Sequence, residues 1–140
     1  MTAERFEQIK NALIAVIDDD RPLVQSIIGL LESLGYAATG FASAEDFLNS
    51  PDLLRSACLI LDVRMPSMSG LELQRRLLCE NNRTPIIFMT ADGGQDISTE
   101  ALRRGAVAFL RKPFDQDSLL GALRLALAGP GGPTGDENPG

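Results

Sequence analysis

The chain has 140 residues, 44% of them hydrophobic and 23% charged, an ordinary make-up for one globular domain that buries about two thirds of its unfolded surface. A net charge of −6 argues against non-specific nucleic-acid binding, which requires clustered Lys and Arg. The absence of histidine removes Ser-His catalysis and His-ligated zinc, and no apolar run approaches the ~18 residues of a membrane span.

Residues 1–11 read as an N-terminal extension that adds at most a helical turn. The apolar stretch Ala12 to Ile17 is too short for a signal peptide and ends in three aspartates instead of a cleavage site. That stretch opens an alternation of short apolar runs and amphipathic segments. The first strand is predicted at Leu13–Ile17. In the helix that follows, Leu23, Ile27, Leu31 and Leu34 recur at three- and four-residue spacing, with Asp20 as N-cap, Pro22 in the opening turn and Gly35 at the close.

A second strand is expected at Tyr36–Phe41, then a short helix opened by a capping box of Ser43 and Asp46. The third strand is expected at Ala57–Leu61, with a helix from about Ser69 to Cys79. The fourth strand spans Pro85–Met89, and its helix follows Gly93-Gly94 and ends near Gly105. The last strand is Val107–Leu110; the last helix starts at Asp115 and places Leu119, Leu123 and Leu127 on one face. Cys58 lies in a strand and Cys79 in a helix, without CxxC spacing, so both read as free thiols of a reducing cytoplasm. From Gly129 to Gly140 the chain is rich in Gly and Pro and reads as a flexible tail or truncated linker.

Three strand runs (LIAVI, ACLIL, PIIFM) are nearly all apolar, as expected of parallel strands covered on both faces. The pattern is (βα)5. Right-handed crossovers make it a doubly wound five-stranded parallel sheet, of flavodoxin-like order 2-1-3-4-5 over residues 12–128. The switch point of that order falls between the first and third strands, where this class of sheet binds ligands.

Four places carry the chemistry: Asp18-Asp19-Asp20, Asp62, Thr90 and Lys112, each directly after or at the close of a strand run. Asp20 reads as a helix cap. Thr90 alone would be a strand-end hydroxyl, and Lys112 alone a solvated charge. Asp18, Asp19 and Asp62 converge on one crevice, and two like charges ~4 Å apart repel by roughly 4 kcal/mol at an effective dielectric near 20. Such a cluster holds protons or binds a cation. Hard oxygen donors favour Mg²⁺, which keeps waters and accepts phosphoryl oxygens. A carboxylate that attacks phosphorus while Mg²⁺ and a lysine neutralise charge is the chemistry these residue types suit.

The stretches AVIDDDRPL, LILDVRMPSMSGLEL, PIIFMTA and GAVAFLRKPF resemble, in content, order and spacing, the receiver domain of two-component response regulators. The phrasing of DVRMPSMSG and AVAFLRKPF is most similar to receivers of the nitrogen-fixation regulator type, which usually precede a DNA-binding helix-turn-helix domain. The resemblance implies that Asp62 is the phosphoacceptor, that Asp19 ligates Mg²⁺ and that Asp18 holds a metal-bound water. It adds the main-chain carbonyl of Arg64 to the ligands. It makes Thr90 the switch hydroxyl, Lys112 the phosphate-binding lysine and Phe109 the aromatic whose rotamer follows Thr90, although Phe109 also reads as plain strand packing. Ala91 is small, as the family prefers, and leaves the acceptor open to its donor. The Lys112–Pro113 bond is cis in the family. Arg64 and Asp92 occupy the positions that tune the lifetime of the phosphoryl group.

The expected partner is a sensor histidine kinase, with a phosphorylation-dependent homodimer or another output across the fourth helix, fifth strand and fifth helix. Arg103, Arg104 and Arg111 lie in that region and read equally as a solvated basic patch. Neither nucleic acid nor membrane is an expected partner of this domain itself. Two rival readings stand. One is an aspartyl-phosphate phosphatase of the haloacid-dehalogenase type, with Asp18 as nucleophile, though Pro22 stands where its motif wants Thr or Val. The other is a receiver-like interaction module that takes no phosphate.

Overall fold

The structure, a computed structural model, describes residues 12–91 and 95–128. Strands β1 (Leu13–Ile17), β2 (Ala37–Phe41), β3 (Ser56–Asp62), β4 (Ile86–Thr90) and β5 (Ala108–Arg111) alternate with five helices. These are α1 (Arg21–Ser33), α2 (Ala44–Leu48), α3 (Gly70–Cys79), α4 (Gln95–Arg103) and α5 (Gln116–Ala128), with a 3-10 turn at Pro51–Leu53 that no sequence signal announced. The strands form one parallel sheet in the order β2-β1-β3-β4-β5, as the alternation predicted. The expected extension at 1–11 and tail at 129–140 lie outside the described residues.

The three nearly all-apolar runs are the three interior strands, buried along almost their whole length. β2 and β5 take the edges, where AATGF and AFLR leave positions exposed. Alternate residues of each strand feed opposite layers. Ile14, Val16, Ile60, Ile87 and Met89 pack under α1 and α5, whose Val24, Ile27, Leu31, Leu119 and Leu123 close one core. Ala15, Ile17, Leu59, Leu61 and Phe88 face the other, with Phe47 from α2, Leu73 and Leu77 from α3, and Ala101 from α4.

Among the described residues, side-chain caps open four of the five helices. Asp20 caps α1, its Oδ1 accepting the Leu23 N–H at 3.2 Å. Gly35 ends it in the left-handed region (φ +94°), with Gly35 and Tyr36 N–H groups turned back onto the carbonyls of Glu32 and Leu31. The capping box predicted for α2 is only half made. Ser43 Oγ accepts the Asp46 N–H at 3.1 Å, but among the described residues Asp46 returns no bond to the Ser43 N–H. Asp is one methylene shorter than the Glu or Gln that this motif uses. The reciprocal box opens α3 instead: Ser69 Oγ accepts the Glu72 N–H at 3.2 Å, and Glu72 Oε1 accepts the Ser69 N–H at 2.8 Å. Asp115 caps α5 through the Ser118 N–H at 2.7 Å.

Candidate functional site

Parallel strands bring all their C-terminal ends to one edge, and that edge collects the chemistry. Asp18 directly follows β1, Asp62 is the last residue of β3, Thr90 the last of β4, and Lys112 directly follows β5. One carboxylate oxygen from each of Asp18, Asp19 and Asp62 lies within 4.8 Å of the others. Lys112 Nζ reaches across, donating to Asp18 Oδ2 at 2.7 Å and standing 3.2 Å from Asp62 Oδ1. Asp18 Oδ1 accepts the Asp20 N–H at 2.9 Å. Asp18, Asp62 and Thr90 are buried, whereas Asp19 is exposed at the mouth.

Among the described contacts of this three-carboxylate cluster, Lys112 is the cation, and it meets Asp18 and Asp62. Burial, then the charge of Asp18, push the Asp62 carboxyl up to about 6, and Lys112 offsets only part of that rise. Burial by itself would depress Lys112, but its bonds to Asp18 and the charge of Asp62 outweigh it and raise the ammonium pKa. The site therefore lacks positive charge. A hard divalent cation fits both this deficit and the all-oxygen donor set.

Backbone bonds hold the end of β3 in place. The Val63 N–H donates to Met89 O at 2.9 Å, and the Gly70 N–H donates to Val63 O at 2.8 Å. Gly70 is the residue that the sequence reading missed. A Cβ at this position would collide with the main-chain carbonyl of Asp62 and crowd the Phe88 ring. Only glycine lets α3 start against the end of β3. The signal was in the string MSGLEL, where the glycine follows directly on the Ser of the capping box.

The remaining expected residues fall around this centre. Arg64 and Ala91 are exposed beside it. The Lys112–Pro113 peptide is cis. Phe109 is half-buried in register with Phe88, the two ring centroids 5.9 Å apart. Asp92 lies outside the described residues. Of the expected basic patch, Arg103 and Arg104 both pair with Glu100, at 3.6 and 2.6 Å, and Arg111 is exposed on β5.

The family model of the response regulator receiver domain matches residues 14–124. The chain belongs to that family. The receiver is 42% identical over 118 residues to the response regulator protein TmoT of Ectopseudomonas mendocina, covering 84% of this chain and 54% of that protein. It is 40% identical over 114 residues to the transcriptional regulatory protein FixJ of Bradyrhizobium diazoefficiens, covering 81% of this chain and 56% of that one. Among solved structures, the response regulator StyR superposes with a TM-score of 0.78 at 38% identity, covering 84% of this chain and 59% of that chain. The crystal structure of FixJ-N gives 0.76 at 35% identity, covering 84% of this chain and 94% of that chain. The receiver spans about half the length of the curated relatives it matches. The phosphatase reading is set aside. It rested on the Asp18-Asp19-Asp20 spacing, yet Asp20 caps α1 and the receiver match runs through the whole sheet. Among the described residues no helix is long and apolar enough to cross a membrane.

Proposed function

We propose that this receiver takes a phosphoryl group from the phosphohistidine of a sensor kinase onto Asp62. The single observation that carries the reading is Lys112 Nζ bridging Asp18 and Asp62 at one strand edge, beside the exposed Asp19. Asp18, Asp19, Asp62 and the main-chain carbonyl of Arg64 would hold Mg²⁺, which when bound supplies neutralisation of phosphoryl charge. Asp62 Oδ attacks phosphorus in line, and the bond to the donor imidazole breaks. Lys112 holds an equatorial oxygen, and Ala91 leaves the approach open. Arg64 and Asp92, at the positions that the family resemblance marks, would tune how long the phosphoryl group survives. The only reactions the domain promotes are its own phosphorylation and dephosphorylation, which makes it a signalling element of the cytoplasm and not a metabolic enzyme.

The added charge and acceptor oxygens then draw the Thr90 hydroxyl toward Asp62, and Phe109 turns into the space left behind. The result is a population shift on the α4–β5–α5 surface that drives homodimerisation or another contact. TmoT and FixJ are named as regulators, FixJ of transcription; a transcriptional output is the corresponding proposal here.

Incubation with Mg²⁺ and acetyl phosphate, read by intact mass, tests the reading. One added phosphoryl group is expected on the wild type and none on Asp62→Asn. A phosphorylated Asp62→Asn protein would move the acceptor elsewhere; a wild type that accepts neither phosphate nor beryllofluoride would leave a phosphate-independent interaction module. Thr90→Ala is expected to take the group normally yet lose most of the phosphorylation-driven dimer. Full dimerisation of that variant would remove Thr90 from the switch.

A further inference from the structure

At the opposite end of the sheet from the acidic site, α3 and α4 meet through a buried amide. Gln74 on α3 is 2% exposed. Its Nε2 donates to the carbonyl of Ala101 on α4 at 3.1 Å. That carbonyl is already satisfied, because it accepts the Ala106 N–H at 3.0 Å in the turn that ends α4, where Gly105 takes φ +103°. The other half of the amide is worse placed. Gln74 Oε1 is sealed from solvent and has no hydrogen-bond partner.

Apart from the bond to Ala101, the core side of Gln74 is apolar. Leu73, Leu77, Ile86, Ala101 and Ala106 make an apolar packing layer, and an apolar side chain would complete it. A neutral hydrogen bond returns little net free energy, while a sealed orphan acceptor loses the full value of its hydration. The two effects have opposite sign, and the second is the larger. Gln74 therefore disfavours the very α3–α4 contact in which it sits. Gln74 itself lines a cleft of about 100 Å³, with Leu77, Asn82, Thr84, Ile86 and Arg104 among its other walls, which is roomy enough for water although Oε1 is sealed from it. A small displacement of α4 would open Oε1 to that water and relieve the loss.

We propose that Gln74 is a built-in weak point that lowers the free-energy difference between the packed and displaced positions of α4. It is a positioning residue, remote from Asp62, that makes this helix easier to move. The switching consequence rests on the receiver reading above; the weak point itself does not. Stability and local opening test one, and beryllofluoride affinity tests the other.

The experiment compares the full chain with Gln74→Leu and the unbranched Gln74→Met. Without Mg²⁺, both variants are expected to melt about 3–6 °C higher than wild type. The amides of Gly105 and Ala106 should exchange several-fold more slowly, with those of α1 and α5 unchanged beyond the global gain. With Mg²⁺, the concentration of beryllofluoride needed for half-saturation should rise about 3–10-fold, because the ligand must then displace a better-packed helix. A tether that merely holds the helices together predicts the opposite sign throughout. Lower melting with faster exchange in both variants would overturn the proposal. Higher melting with unchanged beryllofluoride affinity would sever the weak point from switching. A wild type that binds no beryllofluoride would sink the receiver reading, while melting and exchange would still decide the role of Gln74.

Discussion

The two faces of the sheet are built for different purposes. Under α1 and α5, each of 13 residues, the core is entirely apolar. Under α2, α3 and α4, of 5, 10 and 9 residues, the layer includes the buried Gln74 and the half-buried Phe109. One face is a scaffold on which, among the described residues, no buried side-chain polar atom lacks a partner. The other holds short helices, an orphan acceptor and an aromatic only partly packed. A sheet sealed equally well on both sides would be more stable and would have less capacity to answer a change at its edge.

The largest expected effect is on the scaffold face. Leu31→Ala, at a fully buried position of α1, is expected to cost about 2–5 kcal/mol in urea unfolding. It should leave the extent of Asp62 phosphorylation in the surviving folded fraction unchanged. A loss below 1 kcal/mol would mean that this face is more plastic than its packing shows.

Gly70→Ala comes next and strikes where the faces meet the site. The new methyl would press on the Asp62 carbonyl, so the end of β3 or the start of α3 must shift, at about 1–3 kcal/mol. Phosphorylation by acetyl phosphate should slow at least tenfold although every site side chain is retained. A normal rate would show that the proposed acceptor tolerates displacement of its own backbone.

The smallest effect is a pH dependence at the site edge. The folded Asp62 pKa, raised from 3.8 to about 6, favours the protonated carboxyl in the native state. Its contribution to stability is fully present below the unfolded value and is lost as pH rises through about 6. Without Mg²⁺ and above that pH, Asp62→Asn is expected to be the more stable protein. The full shift must be discounted for the solvent at the mouth of the site, which leaves about 1 kcal/mol. The difference should vanish near pH 4, and Mg²⁺ should stabilise only the wild type. Parallel unfolding curves at every pH would mean that Asp62 bears no burden in the resting fold.

Much of this was legible in the chain itself. The apolar runs, the cap at Asp20 and the close at Gly35 locate strands and helices because they rest on local chemistry. The parallel order then brings Asp18, Asp62, Thr90 and Lys112 to one edge. What stayed hidden depends on distances through space. Gly70 reads as an ordinary helix opening until the Asp62 carbonyl is seen against it. Gln74, four residues before Leu78 on an amphipathic stretch, carries no signal of burial in the sequence; its contact with Ala101 of α4 exists only in the fold. The α2 capping box failed on the length of one side chain, a difference that a pattern of residue types does not register.

Lys112 and Asp18 are separated by 94 positions in the chain, yet their side chains meet at 2.7 Å. No fragment lacking either the first strand or the last could therefore assemble this crevice. Chains rich in such distant pairings fold more slowly than chains of local contacts. A newly made copy thus lacks this crevice until its sheet is complete.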